Sequence, residues 1–290
     1  MIVADAVVHG DREHLLGFDR AEHPVALQVG GSDPGLLAQA AKIGAEFGYD
    51  EINLNVGCPS DRVQAGAFGA CLMKTPGLVA ECWGAMQAAV DIPVTVKSRI
   101  GVDEQDPEES LFGFVETLAG AGCRVFIVHA RKAWLQGLSP KENRETPPLD
   151  YDLVRRLKAA EPELTVVLNG GIATIDEAAG HLANFDGVML GRAAYGDPAI
   201  LAMVDRRIFN AGTPDPDRFD VARSMSVYIR QMAAQGVSPH HVTRHMLGLM
   251  HGRPGARRWR QLLSARGAST PVSVIDEPLA ELEKLAASTG

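Results

Sequence analysis

The chain lacks the patterns that mark several classes of protein. It has no apolar run of about 18 residues that would span a membrane, and its first residues lack the basic-then-apolar pattern of a secretion signal. Its four cysteines form no CxxC pair, so neither a metal ribbon nor a disulfide framework is expected. We therefore expect a cytoplasmic, monomeric protein with reduced thiols and with neither a membrane nor a metal partner.

Acidic residues are absent from residues 221–275, although the whole chain has a net charge of −8. Eight arginines lie in that stretch: Arg223, Arg230, Arg244, Arg253, Arg257, Arg258, Arg260 and Arg266. The rest of the chain then has 20 basic and 36 acidic residues, a net charge of −16. Charge segregated in this way predicts a site for a polyanion such as a nucleic acid.

Short apolar strands alternate with amphipathic helices along the first 200 residues, a pattern that predicts parallel βαβ units. The predicted strands are residues 24–30, 51–57, 93–100, 125–130, 164–169 and 187–191. The predicted helices are residues 33–47, 76–90, 108–121, 152–160 and 175–182. A doubly wound sheet and a (β/α)8 barrel both fit this alternation.

Reactive side chains at the ends of successive strands favour the barrel, because a barrel collects one contribution from each strand around a common rim. About six of eight strands are predicted, so we expect the first strands to be missing and the chain to lack its N-terminal segment. Residues 1–200 form the predicted barrel, and residues 201–290 form a small helical domain that carries the arginines.

Two glycine-containing loops follow the last two strands. They are Asn169-Gly170-Gly171 and Gly191-Arg192. In barrels these loops often hold a phosphate, since glycine lets backbone N–H groups approach the oxygens closely. Either loop alone is equally compatible with an ordinary turn, and the two together favour a phosphate site.

Other strand-end side chains suit a phosphorylated redox heterocycle. Lys97 and Arg99 point to one side of a buried strand, where a lysine needs an anionic partner. His129 is either a core histidine or a ligand, and Gln28 offers an amide donor and acceptor. Flavin mononucleotide (FMN) fits this set, because a cation stabilises the negative charge of a reduced flavin. No GxGxxG dinucleotide motif is present.

Cys58 follows a strand in the stretch EINLNVGCPSDRV. Its thiol is a candidate nucleophile, acid or buried core residue. A thiol with the ordinary pKa of about 8.5 is mostly protonated at neutral pH, and is therefore a better proton donor than nucleophile. Cys71, Cys82 and Cys123 are more consistent with packing roles.

Several segments in order along the chain resemble the tRNA-dihydrouridine synthases, and specifically their A type. They include EINLNVGCPSDRV, PVTVKSRIG, HARKAWLQGLSPKENRE, NGGI, DGVMLGRAAY and PGARRWR. The resemblance implies an FMN-containing barrel and a helical tRNA-binding domain. It also implies NADPH-dependent reduction of D-loop uridines at positions 20 and 20a.

The resemblance also implies roles for individual residues. Cys58 is the implied proton donor. The implied FMN ligands are Gln28, Lys97, His129, Asn169, Gly170, Gly171, Gly191 and Arg192. The residues expected to contact tRNA or the target uridine are Asn55, Arg99, Lys141, Arg144, Arg257 and Arg260.

Three other functions remain open from the residues. A flavoenzyme acting on a free pyrimidine predicts no acid-free arginine block. A non-catalytic RNA-binding remnant predicts tRNA binding without flavin. A zinc site at His241 and His245 is disfavoured, because no HExxH glutamate accompanies them.

Overall fold

The computed structural model describes residues 1–60, 66–264 and 271–289. The chain divides into two compact units, described separately below. The first contains Met1–Gly171 and His181–Met189, and the second contains Ile172–Gly180 and Leu190–Gly290. The domain boundary predicted at residue 200 therefore falls inside the second unit.

The first unit is built on a parallel sheet of seven strands. The strands are β1 Ile2–Val3, β2 Ala26–Gly30, β3 Glu51–Val56, β4 Val94–Arg99, β5 Val125–His129, β6 Thr165–Asn169 and β7 Gly187–Met189. Each strand pairs in parallel with the next one in the sequence. This order, with helices between strands, is that of a (β/α) barrel, so the predicted fold class is confirmed.

The predicted strand number is too low by one. Ile2 and Val3 pair with Val29 and Gly30 at the edge of the sheet, and helix Ala4–His9 follows directly. A strand of two residues is too short to show hydrophobic periodicity, which explains why the sequence reveals only six.

Helices follow the strands of the first unit. They are α1 Ala4–His9, α2 Arg12–Leu16, α3 Pro34–Glu46, α4 Pro76–Ala88, α5 Pro107–Gly120, α6 Tyr151–Ala160 and α7 Ile175–His181, the last shared with the second unit. Short 3-10 helices span Arg20–Glu22, Gly69–Lys74 and Glu142–Arg144.

Aspartate caps begin four of these α-helices. Asp11, Asp33, Asp106 and Asp150 each accept a backbone N–H of the first turn. Such a cap satisfies a donor that otherwise has no partner within the helix. In α3 and α5 the cap precedes a proline, which suits the first helical position.

The apolar side chains of the strands pack under the helices. Leu27 and Ile52 lie so close to Gly44 of α3 that a Cβ there would stand 2.7 Å from each. Trp83 of α4 donates its indole N–H to the carbonyl of Val94, at 2.9 Å. The outer face of the sheet is thereby sealed, and the alternate residues of each strand face the other way.

The second unit is helical. Its helices are α8 Arg192–Gly196, α9 Val204–Arg207, α10 Arg218–Ala234, α11 Pro239–Thr243, α12 Ala256–Leu263 and α13 Asp276–Thr289, with a 3-10 helix at Pro198–Met203. Trp259 is fully buried in its apolar core and donates its indole N–H to the carbonyl of Met246, at 2.9 Å.

Residues 239–252 have a helical sequence pattern, but the helix that begins there, α11, ends at Thr243. Two glycines explain the turns that follow. A Cβ at Gly248 would lie 2.0 Å from the carbonyl oxygen of Gly196, and Gly252 has a φ of +72°. Close backbone approach and a left-handed φ are conformations that glycine permits.

No helix in the described part of the chain is both long and apolar enough to cross a membrane. Among the same residues, no three His, Cys, Asp or Glu side chains come together in a group that could hold a metal ion.

Candidate active site

Strand register brings the predicted strand-end residues of the first unit onto one side of the sheet. Asn55 pairs with Lys97, and Arg99 pairs with His129, which pairs with Asn169. Paired residues of parallel strands point the same way, and alternate residues of one strand share a face. The side chains therefore line a single polar wall.

Side-chain amides of β2 and β3 form a chain of hydrogen bonds at one end of this wall. Gln28 donates to Asn53 at 2.8 Å and accepts from Asn55 at 2.9 Å. Asn53 then donates to Thr95 at 2.7 Å, and Thr95 donates to Glu51 at 2.5 Å. Buried amides are costly unless they are hydrogen-bonded, so this chain of bonds fixes the orientation of Gln28.

Cys58 sits in a turn that Asn55 holds. The Asn55 Oδ1 accepts the N–H of Gly57 at 3.1 Å and the N–H of Cys58 at 3.0 Å. The thiol Sγ lies 3.4 Å from the Ser60 hydroxyl. Because its Nδ2 donates to Gln28, Asn55 ties the cysteine turn to the polar wall.

A pocket of about 400 Å³ opens beside this thiol, a size found for small-molecule sites. Its lining residues are Met1, Ile2, Val3, Ala6, Leu15, Cys58, Ser60 and Phe68. Most of them are apolar, and such a surface suits the face of a planar ring. The two polar groups are Cys58 and Ser60.

Arg99 is 4% exposed and joins two loops. Its Nε donates to the carbonyl of Gly57 at 3.2 Å, and its Nη1 donates to the carbonyls of Lys132 and Asn143 at 3.2 and 2.9 Å. Burial lowers the pKa of Arg99 to about 10. The predicted contact of Arg99 with tRNA stays a prediction, and here the guanidinium holds backbone.

Asn143 organises the loop between β5 and α6. Its side chain is fully buried, donates to the carbonyls of Trp134, Leu138 and Ser139, and accepts the N–H of Trp134. Lys141 and Arg144, both predicted to contact tRNA, lie exposed on either side of it. The buried asparagine thus sets the positions of two exposed cations.

Lys97 lies in the centre of the wall. Its Nζ donates to the Asn169 Oδ1 at 3.0 Å, and Asn169 donates in turn to the carbonyl of Met189 at 2.8 Å. Burial, and to a smaller extent Arg99, lower the pKa of Lys97 to about 8. No described carboxylate lies within ion-pair distance of Lys97. A partly buried cation with a neutral partner is a site for an anionic or electron-rich ligand.

The glycines after β6 make room for the side chains of His129 and Tyr151. Gly170 and Gly171 have φ values of +114° and +74°. A Cβ on Gly170 would meet the His129 ring at 2.8 Å, and one on Gly171 would meet the Tyr151 hydroxyl at 2.9 Å. Tyr151 also donates to the Gly170 carbonyl. These positions require glycine both for backbone conformation and for space.

The other cysteines do not share this environment. Cys82 and Cys123 are fully buried, and desolvation raises their pKa values to about 11 and about 12. The half-buried Cys71 donates to the Phe68 carbonyl, and burial also raises its pKa. Such thiols are inert at neutral pH, in agreement with the packing roles expected for them.

Four of the predicted site residues belong to the second unit. Gly191 and Arg192 are exposed at the start of α8. Arg257 and Arg260 are exposed on α12, three residues apart and therefore on one face. Arg266, also in the acid-free stretch, lies outside the described residues.

Sequence reasoning missed Asn53, Thr95 and Asn143. Asn53 carried a detectable signal, since it alternates with Asn55 between the apolar residues Ile52, Leu54 and Val56. Asn143 carried none, because an asparagine in a polar loop is usually exposed. Its role follows only from its complete burial and its hydrogen bonds.

Comparisons with known proteins agree with the resemblance seen in the sequence. The profile of the Dihydrouridine synthase (Dus) family matches residues 1–284. A protein named tRNA-dihydrouridine(20/20a) synthase from Xanthomonas campestris pv. campestris is 56% identical over 271 residues, which cover 93% of this chain and 80% of that protein.

Two enterobacterial proteins with the same name align over 282 residues, or 96% of this chain. The Escherichia coli strain K12 protein is 55% identical and is covered over 81% of its length. The Salmonella typhimurium protein is 56% identical and is covered over 85%. With the profile match over most of its length, the chain belongs to the dihydrouridine synthase family.

Proposed function

We propose that this protein reduces uridines 20 and 20a of tRNA to 5,6-dihydrouridine, with FMN as its cofactor and NADPH as the reductant. The names of the relatives at 55–56% identity support the tRNA substrate and the positions. The main support for the mechanism is the position of the Cys58 turn. Asn55 fixes this turn at the edge of the sheet where Lys97 and Asn169 also lie.

The polar wall fits a flavin in two respects. Lys97 is a partly buried cation whose hydrogen-bond acceptor is the neutral Asn169, and it would face the electron-rich end of the ring system. Gly170 and Gly171 have positive φ values and hold their backbone close to His129 and Tyr151, and the backbone N–H groups of such a glycine turn are donors that a phosphate can use. Gln28 and His129 would complete the set.

A flavin held by Lys97, Gly170 and Gly171 would supply the hydride that C6 of the uracil ring receives. This leaves enolate character at C5, since the C5=C6 bond is conjugated with the C4 carbonyl. The thiol of Cys58 then donates its proton to C5, completing the addition of two hydrogens. Positioned general acids contribute factors of about 10² to 10⁴ in rate.

The chain's own residues prepare this proton transfer. Asn55 and Arg99 hold the backbone of the Cys58 turn from two sides, through its N–H groups and through the Gly57 carbonyl. The target base has to leave its stack to reach such a buried site, as in other base-modifying enzymes. Lys141, Arg144, Arg257 and Arg260 are proposed to bind the RNA.

The proposal is tested with Cys58→Ala. Dihydrouridine in tRNA, measured by mass spectrometry of nucleosides, is expected to fall at least 100-fold. Flavin reduction by NADPH is expected to keep its wild-type rate, since the thiol acts only in proton transfer. Cys71→Ala is the matched control and should keep most of the activity. Loss of flavin reduction in Cys58→Ala, or normal dihydrouridine formation, would contradict the assigned role.

A further inference from the structure

The arginines of the acid-free stretch fall into two groups. Arg223, Arg230 and Arg258 are paired with carboxylates that lie outside it, namely Asp220 and Glu283, Asp276, and Glu281. Within the described residues, the remaining arginines have no carboxylate at ion-pair distance: Arg244, Arg253, Arg257 and Arg260. The arginines of the second group are therefore available to pair with an anionic ligand.

One member of that group, Arg244, lines a cavity. The cavity has a volume of about 320 Å³ and is bounded by His240, Arg244, Leu247 and Ser264. The polar side chains that the described residues contribute are an imidazole, a guanidinium and a hydroxyl, and none of these is acidic. A guanidinium can only donate hydrogen bonds, so the chemistry of this lining favours an anion.

His240 forms another side of the cavity. Its Nδ1 is shielded from solvent and has no hydrogen-bond partner among the described residues, although buried polar atoms are nearly always hydrogen-bonded in folded proteins. The imidazole is therefore a neighbour of any ligand bound in the cavity and has a ring nitrogen that no described residue engages.

Neighbouring side chains hold Arg244 in place. Its Nε donates to the Nε2 of His245 at 2.9 Å, and the Nδ1 of His245 is 3.0 Å from the Tyr195 hydroxyl. Burial, with a smaller effect of Arg244, lowers the pKa of His245, which keeps the ring neutral and able to accept. The guanidinium is thereby oriented by its Nε before any ligand arrives.

The cavity is continuous with the arginines of α12. Ser264 follows that helix by one residue and donates to the carbonyl of Arg260 at 2.6 Å. The buried Thr243, next to Arg244, donates to the carbonyl of Leu263 at 3.4 Å. Arg257, Arg260, Ser264 and Arg244 therefore succeed one another across the surface, an arrangement suited to a chain of phosphates rather than to one small anion.

We propose that the cavity formed by His240, Arg244 and Ser264 binds a backbone phosphate of the tRNA and extends the row begun by Arg257 and Arg260. The proposal rests on the proposed function, since it assumes a tRNA substrate. It adds a specific contact that depends on His240 and Arg244.

The test compares Arg244→Gln with Arg258→Gln in the full chain. Both changes remove one positive charge from the helical unit, but Arg258 is paired with Glu281. Fluorescence anisotropy with unmodified tRNA is measured over a series of salt concentrations. Arg244→Gln is expected to weaken binding about 5- to 10-fold and to reduce the salt slope by about 1, as for one lost phosphate contact. Arg258→Gln should change binding less than about twofold.

A second variant covers the case in which Arg244→Gln does not fold, as judged by its thermal melt. His240→Gln should weaken binding in the same direction, and Arg244→Lys should restore the salt slope. Equal effects of Arg244→Gln and Arg258→Gln would overturn the proposal, because they would indicate a diffuse field. The proposal would also be overturned if the folded Arg244→Gln and His240→Gln variants bound tRNA as tightly as the wild type does.

Inorganic phosphate, titrated at constant ionic strength, distinguishes a site for the free ion. The proposal predicts that the histidine NMR signals of the wild type shift and that tRNA binding weakens in competition. A shift without any effect of Arg244→Gln on tRNA binding would assign the cavity to a free anion and overturn the proposal. Dihydrouridine formation by the wild type, measured separately, tests the proposed function itself.

Discussion

The cations of the barrel and those of the helical unit are held in opposite ways. Lys97 and Arg99 lie within β4 and donate to neutral oxygens, and burial lowers the pKa of both. Arg257 and Arg260 are exposed on α12 and have no carboxylate partner among the described residues. Hydrogen bonds hold the first pair in position before a ligand arrives. The second pair attracts a ligand through its electrostatic field, which salt screens.

The comparison predicts that geometry matters most in the barrel. Arg99→Lys keeps the charge but loses the planar fork, leaving the carbonyls of Gly57, Lys132 and Asn143 without their donor. Dihydrouridine formation is expected to fall about 100-fold, as for other small misplacements of catalytic groups. Measured under saturating tRNA, the loss should be in kcat.

Arg124→Lys is the control for this change, because Arg124 is exposed and, among the described residues, its side chain makes a single long hydrogen bond, to the Ala119 carbonyl. It should keep near wild-type activity and melting temperature. Full activity of Arg99→Lys would show that charge alone, and not the three bonds, is what the site requires.

Lys97→Met removes the buried charge of the barrel while keeping most of the side-chain volume. The flavin dissociation constant is expected to rise about 10- to 150-fold, since a charge-assisted hydrogen bond is worth roughly 1.5–3 kcal/mol. Flavin fluorescence during equilibrium dialysis measures it. Lys42→Met, at an exposed position of α3, is the matched control. Unchanged flavin affinity in Lys97→Met would remove Lys97 from the cofactor site.

The helical unit should instead respond to salt. Arg257→Gln and Arg260→Gln are each expected to weaken tRNA binding several-fold and to lower the salt slope by about 1. Binding isotherms at four or more salt concentrations provide the slope. Flavin content should be unaffected. Variants whose binding differs from wild type by a constant factor at every salt concentration would argue against phosphate contacts.

A smaller effect is expected from the titration of Lys97 in the flavin-free protein. Its pKa is lowered from 10.5 to about 8 on folding, so between those values the unfolded chain binds more protons than the folded one. Stability contributed by this group therefore rises with pH from about 8 to 10.5. Chemical unfolding across this range should show a shallower slope in Lys97→Met. An identical slope would mean that Lys97 is not desolvated.

Much of the first unit could be predicted from the sequence, because its strands are apolar and bounded by turns. The strand predicted at residues 51–57 occupies Glu51–Val56, and the shared face of Lys97 and Arg99 follows from their spacing alone. Register could not be predicted, since it depends on pairing across strands. The links from Gln28 to Asn53 and Asn55 therefore appear only in the structure.

The helical unit was harder to predict in detail. The arginine block was visible in the sequence, but which arginines are neutralised depends on distant acids. Arg258 pairs with Glu281, while Arg257 beside it does not. Side-chain direction on α12 decides this, and a one-residue change in position turns a helical side chain by about 100°.

The proposed function requires that a bound flavin deliver electrons to a uridine of tRNA. The most direct measurement mixes the NADPH-reduced protein with unmodified tRNA in the absence of oxygen and follows flavin absorbance. If the proposed function is correct, the flavin is reoxidised and one dihydrouridine is formed for each flavin oxidised. A flavin that stays reduced in the presence of bound tRNA, or a folded protein that binds no flavin, would contradict it.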